Sequence, residues 1–205
     1  MPLRLRMTLV VAAVLALGAA LAIAVLARED VEPATGGTGY AGALRPANIP
    51  PSEPEGLRDQ DGNEVSLADV AGKPVVVTFL YTTCEDTCPL TAQQIRGALD
   101  DLGEDVPVLA FSVDPANDTP ERAKRFLLEQ QMTGRMRFLV GPRAALQRQW
   151  DAYGIRPQKE DLEHTASLVI LDGEGRQRIG FPIDKLTPDG LAHDLRALAS
   201  DPAGS

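Results

Sequence analysis

The sequence has few of the residues that build disulfide frameworks or metal clusters. Its 205 residues include only two cysteines and two histidines. Two cysteines cannot form a disulfide scaffold, and a structural zinc site would need a second cysteine pair or a histidine pair that is lacking. Basic residues are also scarce, 20 against 29 acidic residues, which gives a net charge of −9. Such a surface repels phosphate backbones and excludes nucleic acid as an expected partner.

Long apolar runs are confined to the N-terminus. Residues 7–27 carry no charge, follow Arg4 and Arg6, and are long enough to span about 30 Å of hydrocarbon as a helix. We expect an uncleaved single-pass anchor with residues 1–6 in the cytoplasm, although a cleaved signal peptide is the alternative. Both interpretations place the following domain on the periplasmic or extracytoplasmic side of the cell membrane. Residues 28–55 are rich in proline and glycine and are predicted to be a linker.

Residues 56–200 have the pattern of one α/β domain. A hairpin is predicted at 57–65, turning at Asp61-Gly62, followed by five strands that alternate with helices and end in a hairpin. This order predicts a mixed sheet with a mostly parallel centre and an antiparallel edge. The strands are predicted at 74–81, 106–113, 136–140, 165–171 and 176–181, and helices begin near Pro89, after Asp118 or Thr119, at Pro142 and before Leu191.

Both cysteines lie in one short loop between the first predicted strand and the helix that follows it. A helix N-terminus stabilises a thiolate, so the position favours reactive sulfurs at Cys84 and Cys88. Their spacing lets the two sulfurs close a disulfide or hold one ion. Two thiolates alone form a soft site that selects Cu(I) or needs a third ligand. A purely structural disulfide would close a very short loop and stabilise little, so redox or copper chemistry is favoured.

The two histidines differ in whether their positions allow a role as a ligand. His164 directly precedes the fourth predicted strand, and a lone histidine there is more often an exposed or capping residue than a ligand. It can approach the cysteine loop only if that strand runs parallel to the first strand or ends beside it. His193 points away from the leucine stripe of the last helix, and we predict a solvated surface residue.

Four stretches together resemble the Sco/SenC family. They are residues 72–74 (GKP), 81–89 (YTTCEDTCP), 112–120 with its SVDP and DTP motifs, and His164-Thr165 before a strand. The resemblance covers residues 56–200 and implies a thioredoxin-like fold with an inserted hairpin. It also implies a membrane-anchored copper protein that takes part in assembling the CuA centre of cytochrome c oxidase, with Cys84, Cys88 and His164 as copper ligands.

The resemblance implies two roles. As a metallochaperone, the protein would pass copper to the CuA-bearing subunit of the oxidase, having received it from a copper donor. As a thiol–disulfide oxidoreductase, it would use the Cys84–Cys88 pair to reduce the cysteines of that subunit and would itself need a thiol reductant. A peroxidase is less favoured, because no arginine near the cysteines marks a peroxide site.

Three acidic residues complete the candidate site. Asp114 and Asp118 match the family's aspartates in a loop facing the cysteines, where they would support the ligands or contact a partner. Helix N-capping is the alternative role, and it suits Asp118 well. Glu85 departs from the family, many members of which have proline after the first cysteine. We expect the acidic Glu85-Asp86 pair to raise the pKa of the sulfurs slightly.

Overall fold

The computed structural model describes residues 39–46, 48–104, 106–156 and 167–200. The predicted anchor at 7–27 and the first part of the predicted linker lie outside these residues, as does His164. Among the described residues, no helix combines the length and the apolar character needed to cross a membrane.

A six-stranded mixed sheet with helices packed against it forms the domain, which confirms the predicted α/β class. The strand order is β1-β6-β5-β2-β3-β4; β2, β3 and β4 are parallel, and every other neighbouring pair is antiparallel. The strands are β1 (Ala43–Leu44), β2 (Val75–Leu80), β3 (Val108–Ser112), β4 (Arg137–Leu139), β5 (Ser167–Leu171) and β6 (Gln177–Pro182). The helices are α1 (Thr87–Leu102), α2 (Pro120–Glu129), α3 (Arg143–Tyr153) and α4 (Pro188–Ser200), with short 3-10 helices at Leu67–Val70 and Ile183–Lys185.

The centre of the sheet follows from its apolar strands. All six residues of β2 and all five of β3 are buried, as a continuous β-branched and aromatic sequence predicts. Phe79 of β2 stacks on Phe111 of β3, with ring centroids 5.7 Å apart, and Tyr153 of α3 lies 5.4 Å from Phe79. These rings pack α3 onto one face of the sheet.

The antiparallel pairing reaches further into the sheet than we predicted. β5 lies directly beside β2, with Leu168 opposite Thr78 and Leu171 opposite Val75. Three of the five neighbouring strand pairs are therefore antiparallel, not only the pair at the edge. The order of strands depends on contacts between distant parts of the chain, which local sequence patterns do not encode.

Helix ends follow their sequence signals. Glycines in the left-handed region follow α1 and α3, Gly103 at φ 71° and Gly154 at φ 72°, where glycine adopts a positive φ without a steric penalty. The predicted inward stripe of α4 is confirmed, since Leu191, Leu195 and Leu198 are all buried.

The predicted N-terminal hairpin is reduced to a tight turn. A single antiparallel bridge joins Arg58 to Glu64, and the Asp59 N–H donates to the Asn63 carbonyl at 2.9 Å. Arg58 also bridges to Val140, which attaches the turn to the end of β4.

The predicted boundary between linker and domain at residue 56 needs correction. β1 pairs with β6, Ala43 opposite Gly180, so part of the predicted linker belongs to the sheet. The buried Asp194 carboxylate accepts the N–H groups of Ala41 and Gly42, each at 2.8 Å. Backbone groups and one distant carboxylate hold this segment, which explains why it shows no hydrophobic pattern.

We name the two ends of the sheet's strands by the segments that they carry. At the cysteine edge, β2 ends at Leu80, β3 ends at Ser112 and β5 begins at Ser167. At the turn edge, β2 begins, β5 ends and the β5–β6 turn starts with Asp172.

Candidate metal centre

The cysteine loop joins the end of β2 to the start of α1. The Cys84 N–H donates to the Tyr81 carbonyl at 3.4 Å, which makes a turn, and α1 begins three residues after Cys84 at Thr87. Pro89 falls in the first turn of α1, where its missing N–H costs no helical hydrogen bond. The predicted strand-to-helix position of both cysteines is confirmed.

Cys84 places its sulfur at the N-terminus of α1. The Cys88 N–H donates to Cys84 Sγ at 3.2 Å, while the N-cap residue, Asp86, makes no side-chain cap. Hydrogen bonds from the Cys88 side chain, from the N–H groups of Cys88 and Asp86 and from the Tyr81 hydroxyl outweigh burial and lower the pKa of Cys84 to about 5. Cys84 is therefore a half-buried thiolate at neutral pH.

Cys88 is the opposite kind of cysteine. It is fully buried on the inward face of α1, as its spacing from Ile95 predicted. Its hydrogen bond to Cys84 and its burial raise the pKa of the Cys88 thiol well above the usual value. Both cysteines are free. Because their pKa values are shifted in opposite directions, the pair holds one thiolate and one thiol.

The expected effect of the acidic loop is wrong for Cys84. We expected Glu85 and Asp86 to raise the pKa of the sulfur, but the pKa of Cys84 is lowered. Both residues are exposed, so water screens their carboxylates, whereas the Cys88 N–H lies 3.2 Å from the Cys84 sulfur. Hydrogen bonds to the sulfur outweigh screened charges here.

Asp118 does not take the capping role that was one of its two expected roles. Thr119 is the N-cap of α2, accepting the Arg122 N–H at 3.3 Å, so the capping role that seemed to suit Asp118 is wrong. Asp118 instead turns inward and accepts hydrogen bonds from Thr82 and Ser112. No local pattern distinguishes the two neighbouring residues, because both types are common N-caps.

Asp114 faces its own loop. Its carboxylate accepts the Asn117 side-chain amide at 2.8 Å, and its N–H donates to Ser112 Oγ at 3.2 Å. It lies at the cysteine edge, and its hydrogen bonds to described residues stay within its own loop. It shapes the turn that carries Asp118 inward, because the Asp118 N–H donates to the Asp114 carbonyl at 2.9 Å.

Of the two histidines, the structure describes His193. His193 is confirmed as a surface residue, with its side chain 53% exposed and its Nδ1 2.9 Å from Asp194 Oδ1. His164 lies outside the described residues. Within the part of the chain that the structure describes, no group of three or more His, Cys, Asp or Glu side chains is placed to hold a metal ion. The two sulfurs are thus the portion of the predicted site that is in place.

Known proteins share this fold. A family model described as SCO1/SenC matches residues 53–200. The chain is 30% identical over 160 residues to the SCO1 protein homolog of Bacillus subtilis (strain 168), which covers 72% of this chain and 82% of that protein. It is 30% identical over 152 residues to a putative copper-binding protein of Stutzerimonas stutzeri, 68% of this chain and 72% of that protein. The solved structure of Bradyrhizobium japonicum ScoI with copper bound matches with a TM-score of 0.60 and 31% identity, over 72% of this chain and 97% of that chain.

Proposed function

We propose a function from the premise that this chain belongs to the SCO1/SenC family: it binds copper through Cys84, Cys88 and His164 and delivers it to the CuA centre of a cytochrome c oxidase subunit. One observation carries the proposal. Two free cysteines share the N-terminus of α1, and the Cys88 N–H donates to Cys84 Sγ at 3.2 Å. The relatives named as copper-binding and copper-bound support copper as the cargo.

The donor set suits a soft ion that must be released again. Two thiolates and an imidazole favour Cu(I), and three ligands leave a side open to an incoming acceptor sulfur. Because a thiolate is the ligand form, loading displaces the proton of Cys88, so binding releases a proton into solution. Cys84 is half-exposed and is therefore the sulfur that an acceptor meets first.

The assignment of His164 is supported by the topology around it. β5 runs antiparallel to β2, so its first residue, Ser167, lies at the cysteine edge. His164 precedes Ser167 by three residues in the sequence. We expected His164 to approach the cysteine loop if the fourth predicted strand ran parallel to the first or ended beside it; β5 is antiparallel to β2, and its beginning at the cysteine edge supports the assignment of His164.

A second function, thiol–disulfide exchange, is favoured by the asymmetry of the pair. The Cys84 thiolate would attack an acceptor disulfide, forming a mixed disulfide and releasing one acceptor thiolate. Cys88, after losing its proton, would attack Cys84 Sγ and release the second acceptor thiolate. The products are the Cys84–Cys88 disulfide and a dithiol acceptor, and an external thiol reductant must restore the pair.

The location follows from the same proposal. The run at 7–27 would hold the protein in the cell membrane with its domain on the extracytoplasmic side, where the CuA-bearing domain of the oxidase would be its partner. Fusing a reporter that is active only outside the cytoplasm to Ser205 tests this orientation; an inactive reporter on a stable fusion would contradict it.

Anaerobic copper titration of the reduced full-length protein in detergent tests the main proposal. We expect one copper per chain in the wild type and loss of tight binding in Cys84→Ser and Cys88→Ser. His164→Ala should weaken binding and change the visible spectrum of the Cu(II) form. His193→Ala is the matched control, because His193 lies on the surface away from the sulfurs, and it should behave as the wild type. A reduced wild type that binds no copper would refute the proposal.

Oxidase assembly in cells separates the two functions. Copper delivery needs His164, whereas thiol exchange needs only the cysteines. If His164→Ala restores oxidase assembly in a strain lacking this protein while Cys84→Ser does not, thiol exchange is the function; failure of both variants favours copper delivery.

A further inference from the structure

Asp118 ties together the ends of two neighbouring strands. Its Oδ1 accepts the Thr82 N–H at 2.8 Å and the Thr82 hydroxyl at 2.6 Å, and its Oδ2 accepts the Ser112 hydroxyl at 2.5 Å. Thr82 follows β2 and Ser112 ends β3. One carboxylate therefore fixes the first residues of the cysteine loop against the adjacent strand.

This carboxylate is buried, and its described hydrogen-bond partners are all neutral. Asp118 is 7% exposed, and no lysine or arginine among the described residues forms an ion pair with it. Burying an unpaired charge is costly, even when hydrogen bonds satisfy it. A neutral side chain or an external N-cap would avoid that cost, so stability alone does not account for aspartate at this position.

The contact reaches Cys84 by a short path. Thr82 precedes Cys84 by two residues, and between them the chain makes the turn closed by the Cys84 N–H and the Tyr81 carbonyl. On the other side, the Ser112 carbonyl accepts the Nε1–H of the buried Trp150 at 3.0 Å. Hydrogen bonds therefore link the cysteine loop to β3 and to the core side of α3.

We propose that Asp118 is a positioning residue of the metal site, which acts through Thr82 to hold Cys84 where its sulfur receives the Cys88 N–H and faces the second sulfur. The inference rests on the proposed function, in which these two sulfurs bind copper. Asp118 itself is not a ligand. Residues that orient metal ligands typically contribute 10- to 100-fold to metal affinity.

Four variants of the full-length protein test this role. Asp118→Ala removes the tie, Thr82→Val removes one of its hydrogen bonds, and Thr82→Ser restores that bond. Asp172→Ala is the matched control, because Asp172 is a buried carboxylate with several hydrogen bonds at the turn edge, away from the cysteines. Two properties are measured at a temperature where circular dichroism shows every variant folded: Cu(I) affinity by chelator competition, and the pH midpoint of Cys84 alkylation in metal-free protein.

The expected results follow the path of contacts. Asp118→Ala should weaken Cu(I) binding about 10-fold or more and raise the pH midpoint of Cys84 alkylation. Thr82→Val should shift both properties less and in the same direction, whereas Thr82→Ser and Asp172→Ala should match the wild type. The proposal is overturned if Asp118→Ala changes neither property, or if Asp172→Ala changes both as strongly.

Failure of the proposed function would look different. A wild type that binds no copper refutes copper delivery, and the alkylation midpoints then decide the role of Asp118 alone. A raised midpoint in Asp118→Ala with a wild-type midpoint in Asp172→Ala supports positioning, and equal midpoints in all variants overturn it.

Discussion

The cysteine edge and the turn edge of the sheet each contain a buried aspartate, and the two are held in opposite ways. At the turn edge, Asp172 is 1% exposed and accepts hydrogen bonds from the backbone and from the guanidinium groups of Arg176 and Arg178. At the cysteine edge, Asp118 is nearly as buried, but the described residues that donate hydrogen bonds to it, Thr82 and Ser112, are neutral.

The pKa values of the two carboxyls record this difference. Burial raises the pKa of both, but at Asp172 the hydrogen bonds from Arg176 and Arg178 outweigh burial and the net pKa is lowered. At Asp118 burial outweighs the bonds from Ser112 and Thr82, and the net pKa is raised. The turn edge is built for stability, whereas at the cysteine edge no cation of the described residues pairs with the carboxyl beside the site proposed to bind copper.

The largest expected difference between the two edges is in the stability lost when each carboxylate is removed. Asp172→Ala leaves two arginines and several backbone N–H groups without their acceptor, and we expect a loss of about 3 kcal/mol in the free energy of unfolding. Asp118→Ala also loses hydrogen bonds but removes an unpaired buried charge, so we expect a loss of about 1–2 kcal/mol. Urea denaturation measures both, and a larger loss for Asp118→Ala would contradict the assignment of stability to the turn edge.

A smaller loss of stability is expected when Thr119, the neighbour of Asp118, is replaced. Thr119 caps α2, so Thr119→Ala should cost about 1 kcal/mol of stability. Because the Thr119 side chain does not touch the cysteine loop, copper affinity should stay at the wild-type value. Chelator competition alongside thermal denaturation checks this, and a loss of affinity equal to that of Asp118→Ala would mean that any disturbance of this loop reaches the site.

The smallest expected effect is a difference in pH dependence. Asp172 has a lowered folded-state pKa, so its contribution to the free energy of unfolding is present above the unfolded pKa and is lost as pH falls through the folded pKa. Asp118 has a raised folded-state pKa, so its contribution is present at low pH and is lost as pH rises through the folded pKa. Replacing each by asparagine should therefore change stability with opposite pH trends.

Unfolding of the two asparagine variants between pH 3 and 7 measures these trends, with the wild type as reference. The destabilisation by Asp172→Asn should grow as pH rises, and that by Asp118→Asn should shrink. Parallel trends would show that the two carboxyls have similar environments after all.

Sequence patterns predicted the elements that local chemistry determines. The apolar run of β2, the inward position of Cys88 and the end of α3 at Gly154 are all properties of a few consecutive residues, and each is confirmed. The two sulfurs of the candidate site were found in the same way, since they share one loop.

Features that depend on distant contacts were missed. β1 is two exposed residues paired with β6, and the two residues before it are held by Asp194, more than 150 positions away in the sequence, so the segment carries no pattern of its own. The inward turn of Asp118 depends on Thr82 and Ser112, which only the folded sheet brings together. The lowered pKa of Cys84 depends on hydrogen-bond directions, whereas the sequence suggested only nearby charge.

Because the Cys88 N–H donates to Cys84 Sγ, the exchange of this amide proton depends on the chemical state of the Cys84 sulfur. A metal ion, an alkyl group or a disulfide at Cys84 draws on the same lone pairs that this N–H now shares. Hydrogen–deuterium exchange at Cys88 would therefore report the state of the sulfur without a spectroscopic label. The start of α1 would signal what Cys84 is bound to.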